Sequence, residues 1–173
     1  EMGSMFSWCY ALTTLDLSSF NTSKVTNMGY MFKYCESLKI LDLSSFNTSK
    51  VTKMDSMFFG CNALTTLYVK EYNSTTNIGW TTTAVTSSEK MFNGCNKIVG
   101  ENGTKYSSAN TDATYARIDK DGEPGYLSVK ITNPYLPSGF TYVAGTTLKN
   151  GLTIQDSKGN QYVWVEVPKT SEV

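Results

Sequence analysis

The sequence predicts an α/β solenoid, a right-handed superhelix with parallel strands on one face and short helices on the other. The first reason is an internal copy: seventeen of the twenty-six residues in 5–30 recur identically in 31–56. The second reason is a set of Met-Phe pairs that begin at Met5, Met31, Met57 and Met91, followed at constant offset by Cys9, Cys35, Cys61 and Cys95. Such self-similarity is typical of units that bury their apolar faces by stacking on one another.

Alternating apolar residues predict one strand in each unit. Leu15 and Leu17 would point inward while Asp16 points outward, and the same alternation recurs at 41–43 and 67–69. Stacked in parallel, these strands would form a narrow sheet.

A short helix is predicted after each strand. A hydroxyl residue, Thr22 or Ser23, is a plausible N-cap. The apolar residues that follow recur at the spacing of one helix face and are Val25, Met28, Met31, Phe32 and Cys35.

The repeat motif reads MFxxCxxLxxLDLSSFNTSKVTxM at 5–28 and 31–54, and recurs more loosely at 57–69 and 91–98. This motif resembles the leucine-rich repeats of the Bacteroides surface protein A (BspA) type. The resemblance implies a leucine-rich-repeat-like fold. It also implies a non-enzymatic protein of bacterial cell surfaces used in adhesion, in some members to host extracellular-matrix proteins.

Three segments are expected along the chain. Residues 1–100 would hold about four BspA-like coils, N-terminally truncated because residue 1 falls inside a repeat. Residues 101–128 would form a C-terminal capping segment, since similar arrays often close with a TYARID…PGY stretch. Residues 129–173 would form a β-hairpin segment, with strands at 140–143, 152–154 and 161–167, leading to a missing downstream domain.

Composition argues against several classes of function. Fifteen basic residues balance fifteen acidic ones, so no charge excess favours nucleic acid or an anionic membrane. No apolar run is long enough for direct membrane insertion. The chain has no histidine, which removes the usual general base and the commonest metal ligand. We therefore expect no enzyme activity, no cofactor and no metal.

The four cysteines leave three alternatives open. Equivalent positions in stacked units favour a ladder of small buried thiols. A disulfide between neighbouring coils is the second alternative and a metal site the third, although no C-x-x-C pair is present. Asp119–Glu123 hints at calcium, but the run is too short for an EF-hand loop, and a turn with capping carboxylates is the preferred interpretation.

The candidate binding residues lie on the outward strand face and in the inserted stretch of the third unit. On the face they are Thr14 and Asp16, then Ile40 and Asp42, then Thr66 and Tyr68. Trp80 belongs to the insertion and could anchor a ligand as an exposed aromatic residue. The alternatives are a solvated polar face that keeps the array soluble and a tolerated surface bulge.

These observations predict an extracellular, cell-surface module for adhesion or protein–protein interaction. Its partner would be a protein such as a host matrix protein, and a monomer is favoured. The alternative is a structural spacer that projects a C-terminal lectin-like or enzymatic domain.

Overall fold

The computed structural model describes residues 1–130, 140–142 and 152–164. The chain divides into two compact units, Glu1–Lys130 and Ile131–Val173. Each unit contains one three-stranded sheet in its described part.

The sheet of the first unit is parallel and has the order β1-β2-β3. Its strands are β1 (Ile40–Leu43), β2 (Thr66–Val69) and β3 (Ser128–Val129). Leu41 pairs with Leu67 and Leu43 with Val69, and all four side chains are buried. The second and third predicted strands therefore lie where the leucine alternation places them.

Backbone hydrogen bonds join successive repeat units in the region where helices were expected. Around the first three Met-Phe pairs, alternate N–H groups of one unit donate to carbonyls of the next unit along the chain, while Thr52 N and Thr86 N donate to the preceding unit. The equivalent bonds, each 2.9 Å long, run from Phe6 N to Met31 O, from Phe32 N to Met57 O, and from Phe58 N to Met91 O.

The predicted α/β solenoid, with its leucine-rich-repeat-like superhelix and row of helices, is wrong. The described ranges contain no α-helix, only a short 3-10 helix at Ala113–Tyr115. Tyr30 and Tyr34 each have φ of 60°, a left-handed conformation that breaks a right-handed helix. Leu15–Leu17 also forms no strand, so the first of the three expected strands is absent.

The helix prediction failed because the apolar spacing has another explanation. Val25, Met28, Met31, Phe32 and Cys35 are all buried, as a helix face would be. Their burial comes from tight turns such as the Met31 N to Met28 O bond, while alternate N–H groups bond to the neighbouring unit. Burial at this spacing therefore does not require the i to i−4 bonds of a helix.

The core of the first unit is a column of phenylalanine rings. Phe6, Phe32, Phe58 and Phe92 stack with successive centroid separations of 5.6, 5.7 and 5.4 Å. Tyr126 ends the column with an edge-to-face contact of 5.2 Å to Phe92. Phe32, Phe58 and Phe92 are each buried between two neighbouring rings, and this burial stabilises the stack.

The cysteines form the predicted ladder of thiols. All four are free, three are buried and Cys9 is partly exposed. The thiol groups donate to phenylalanine carbonyls of the preceding unit: Cys35 to Phe6 at 3.2 Å, Cys61 to Phe32 at 3.1 Å, and Cys95 to Phe58 at 3.0 Å. Burial raises the pKa of the Cys35 thiol to about 12, so this sulfur stays protonated and unreactive.

A buried carboxylate organises the segment that follows the last repeat. Asp119 accepts hydrogen bonds from the Thr104 hydroxyl at 2.6 Å and from the backbone N–H groups of Asn102, Thr104 and Gly125 at 2.8, 2.9 and 3.2 Å. Burial alone would raise the pKa of Asp119, but these donors outweigh it and hold the pKa below its usual value. The capping-carboxylate interpretation is confirmed at this position.

The second unit contains an antiparallel sheet. Its strands are β4 (Phe140–Tyr142), β5 (Leu152–Asp156) and β6 (Gln161–Trp164). Asp156 accepts from the N–H groups of Lys158 and Asn160, each at 2.9 Å, and so fixes the predicted hairpin turn. The expected continuation of β6 to residue 167 and the rest of the hairpin segment to residue 173 lie outside the described residues.

In the described ranges, no helix has both the length and the apolar character that crossing a lipid bilayer would require.

Candidate interaction surface

The outward face of β1 and β2 brings four of the predicted binding residues together. Ile40 pairs with Thr66, and Asp42 pairs with Tyr68. Ile40 is 56% exposed although it is a large aliphatic residue, and the other three side chains are partly exposed. We name these four residues the strand face. It combines an apolar side chain, an aromatic ring, a hydroxyl and a carboxylate within two strand pairs.

The carboxylate of Asp42 is held in place by neighbouring donors. The Ser44 hydroxyl donates at 2.6 Å and the Ser44 N–H at 2.9 Å, while Lys130 forms an ion pair with the other carboxylate oxygen. Partial burial would raise the pKa of Asp42, but Lys130 and Ser44 together lower it. Asp42 is therefore ionised near neutral pH, and its charge is largely compensated by Lys130.

Thr14 and Asp16 lie beside the strand face but outside the sheet. Both are exposed, and with Asp42, Ser44 and Lys130 they line an open depression of about 540 Å³. The Ser18 N–H donates to Asp16 at 2.9 Å and lowers the pKa of its carboxyl group. Of the predicted binding residues with a charge or an aromatic ring on this face, Asp42 and Tyr68 are therefore paired in register, and Asp16 lies in an adjoining loop.

Trp80 does not offer the exposed anchor that the sequence analysis expected. Only 5% of the residue is exposed, and its indole Nε1 donates to the Ala116 carbonyl at 2.9 Å. The Trp80 N–H also bonds to Lys70 O at 2.9 Å, so the inserted stretch folds back on its own unit. A large ring with one polar atom gains more from this burial than from exposure. Trp80 therefore packs as a core residue.

A second surface was not expected from the sequence. Three exposed aromatic residues, Trp8 at 54%, Tyr10 at 48% and Tyr30 at 44%, lie in the turns around the Met-Phe pairs. Trp8 packs on Tyr34 with ring centroids 4.4 Å apart, and Tyr10 lies 5.8 Å from Trp8. We name the group formed by Trp8, Tyr10, Tyr30, Tyr34, Phe59 and Lys33 the aromatic patch.

A lysine lies at the centre of the aromatic patch. The Nζ of Lys33 lies 5.8 Å from the ring centroid of Trp8, 5.2 Å from Tyr30, 5.4 Å from Tyr34 and 5.2 Å from Phe59. These distances lie within the range of cation–π attraction, which holds the side chain among the rings. The sequence signal for this patch is the cluster of aromatic residues around Cys9 and Cys35.

The described residues offer surfaces for binding and no grouping of three or more His, Cys, Asp or Glu side chains that could hold a metal ion. The first unit is therefore built from repeated sequence units and carries two exposed surfaces, the strand face and the aromatic patch.

The chain belongs to the family DUF285, described as a Mycoplasma protein of unknown function, whose family model matches residues 1–116. Neither the curated proteins nor the solved structures gave a significant match.

Proposed function

We propose that this protein is a non-enzymatic interaction module of the BspA-like type, exposed on a bacterial cell surface, which binds a protein partner through the strand face. The repeat motif of residues 5–54 supports the BspA-like assignment, and its resemblance to surface adhesins supports the location. A host matrix protein is the partner that this resemblance favours.

One observation carries the proposal: a large aliphatic residue is exposed at the start of the edge strand β1, on the outward face of an ordered sheet. Ile40 lies beside Thr66, and its neighbours Asp42 and Tyr68 are paired in register. A rigid surface that combines an apolar contact, an aromatic ring and a charge resembles the centre of protein interfaces, where such residues provide most of the binding energy. A purely solvating face would not need an exposed isoleucine or the tyrosine beside it.

The test is a binding assay of the full chain on immobilised laminin, fibronectin and collagen. Ile40→Ser and Tyr68→Ala should each weaken binding to the recognised protein by about tenfold, which corresponds to roughly 1.4 kcal/mol. Asp16→Ala combined with Asp42→Ala should reduce binding further, because it removes both carboxylates beside the depression.

Val163→Ser is the matched control, since Val163 is a β-branched strand residue that is 64% exposed in the second unit. It should leave binding unchanged, and the melting temperatures of the face variants should stay close to that of the parent chain. Unchanged binding in all face variants, or no binding to any of the three proteins, would favour the spacer alternative.

A further inference from the structure

Two residues of the aromatic patch, Trp8 and Tyr34, occupy a backbone position that the third and fourth repeat units fill with glycine. Trp8, Tyr34, Gly60 and Gly94 are equivalent in the four units, and their φ values are 68°, 60°, 74° and 85°. The left-handed conformation is therefore a requirement of the repeat. Units three and four satisfy it with glycine, whereas units one and two place the two largest aromatic types there.

A bulky residue in this conformation is unfavourable. Left-handed backbone is uncommon for any residue other than glycine and is a genuine outlier for a large side chain. Such strain persists where the surroundings enforce it, and it is concentrated at functional sites. Because glycine adopts the same backbone conformation in two units, this conformation does not itself require an aromatic ring at Trp8 or Tyr34. Their rings point to a role at the surface.

The neighbouring unit leaves room for the Tyr34 ring. A Cβ atom at Gly60 would lie 2.4 Å from Tyr34 Cδ1, so the ring lies directly over this glycine. The same ring packs on Trp8 at 4.4 Å and edge-on against Phe59 at 5.3 Å. Packing therefore holds Tyr34 and Trp8 in place, so little conformational entropy is lost when a ligand binds them.

A polar depression of about 470 Å³ adjoins the patch. It is lined by Gly3, Ser4, Asn27, Tyr30, Lys53 and Asp55. Tyr30 connects the two surfaces, because it lines the depression and its ring centroid lies 5.2 Å from Lys33 Nζ.

In two side chains of the depression, one polar atom is hydrogen-bonded within the protein and the other is not. Asn27 Oδ1 accepts from Gly29 N at 2.9 Å, and Asp55 Oδ1 accepts from the Ser87 hydroxyl at 2.5 Å. The other polar atoms, Asn27 Nδ2 and Asp55 Oδ2, have no hydrogen-bond partner among the described residues. The internal bonds fix both side chains and leave one donor and one acceptor available.

We propose that the aromatic patch and this depression together bind an oligosaccharide. A sugar ring has apolar C–H faces, which pack on exposed aromatic rings, and hydroxyl groups that both donate and accept hydrogen bonds. The surface offers donors at Trp8 Nε1, Lys33 and Asn27 Nδ2 and a strong acceptor at Asp55 Oδ2. A proline-rich peptide also packs on aromatic rings, but its backbone presents mainly carbonyl acceptors and would leave Asp55 desolvated without a donor.

The site shares no residue with the strand face, and the proposal does not depend on protein binding there. The test applies the full chain to an immobilised array of neutral and acidic oligosaccharides and measures the affinity for the best binder by calorimetry. Saturable binding is expected. Trp8→Gly and Tyr34→Gly should each weaken it by about tenfold or more, and Asp55→Asn should weaken it because an acceptor is replaced by a donor.

Glycine variants allow a loss of binding to be distinguished from a loss of folding. Trp8→Gly relieves backbone strain while it removes the ring, so its melting temperature should be unchanged or raised. Lys90→Gly is the matched control, because Lys90 is also left-handed, with φ of 56°, but carries no part of the patch. The control should retain full binding. Absence of binding across the array, equal affinity in Trp8→Gly, or binding of a polyproline peptide in place of the sugars would overturn the proposal.

Discussion

Single residues show both what periodicity can predict and what it cannot. Asp42 and Tyr68 lie in register as the strand alternation requires, because alternate residues of a strand share a face. Trp80 and the aromatic patch were misjudged for a different reason. Whether an aromatic ring is exposed depends on the loop conformation around it, and no local sequence rule states that an insertion will fold back over its own tryptophan.

The residue types in the sequence also did not reveal that the turns have a left-handed backbone in all four units. Gly60 and Gly94 indicate positions with positive φ, but the equivalent residues Trp8 and Tyr34 suggest the opposite. Only an alignment of the units by their Met-Phe pairs shows that all four positions must share one backbone conformation. The apolar spacing at 25–35 predicted a helix where the chain instead makes successive turns.

Asp119 gives a prediction about pH. Because its folded-state pKa is lowered, Asp119 stabilises the protein at pH values above the unfolded pKa of about 3.9, and this contribution is lost as the pH falls through the folded pKa. Asp119→Asn should lower the free energy of unfolding by about 2–4 kcal/mol at pH 7, since three backbone donors lose a charged acceptor.

The measurement is chemical denaturation of the parent and Asp119→Asn chains between pH 7 and pH 2.5. The difference between their free energies of unfolding should shrink steadily below about pH 4. A difference that stays constant over this range would mean that the carboxylate charge does not stabilise the cap.

At the scale of elements, the sequence predicted strands better than it predicted the segments between them. β1 and β2 follow from a short alternation with a buried leucine at every second place. The segment 25–35 has helical spacing, yet its N–H groups bond to the next unit, as the Phe32 N to Met57 O bond shows. Spacing reports which side chains are buried, and it does not report where the backbone hydrogen bonds go.

The phenylalanine column gives a prediction about stability. Phe58 is fully buried between two stacked rings, so Phe58→Ala should lower the free energy of unfolding by about 3–5 kcal/mol through lost burial and a cavity. Phe6 is only partly buried at the end of the same column, and Phe6→Ala should cost less than half as much.

Equilibrium denaturation with urea measures both values under one condition. Cys61→Ala provides a smaller buried truncation in the same unit and should fall between them. Equal losses of unfolding free energy in Phe58→Ala and Phe6→Ala would contradict this prediction. They would mean that the contribution of a ring does not depend on how deeply it is buried in the column.

At the scale of the whole molecule, the division into Glu1–Lys130 and Ile131–Val173 predicts two cooperative units. Leu67→Ala in β2 should accelerate amide hydrogen exchange across the first unit, including Val69, while Ile154 in β5 keeps its protection. Hydrogen exchange of the full chain followed by NMR measures both regions at once. A proportional loss of protection at Ile154 would show that the chain unfolds as one unit.

The direction of the bonds between units bears on how such a gene can change. In the segments around the Met-Phe pairs, alternate N–H groups bond to the next unit, and the bonds from Phe6, Phe32 and Phe58 are equivalent, whereas Thr52 N and Thr86 N donate to the preceding unit. A duplicated stretch of twenty-six codons would therefore meet matching backbone hydrogen-bonding groups on both sides. The extra residues of the third unit illustrate the same freedom, because Met54 N still reaches Ser87 O across them. The fold therefore accommodates the duplication or loss of whole units. The number of units can change faster in evolution than the buried residues within each unit.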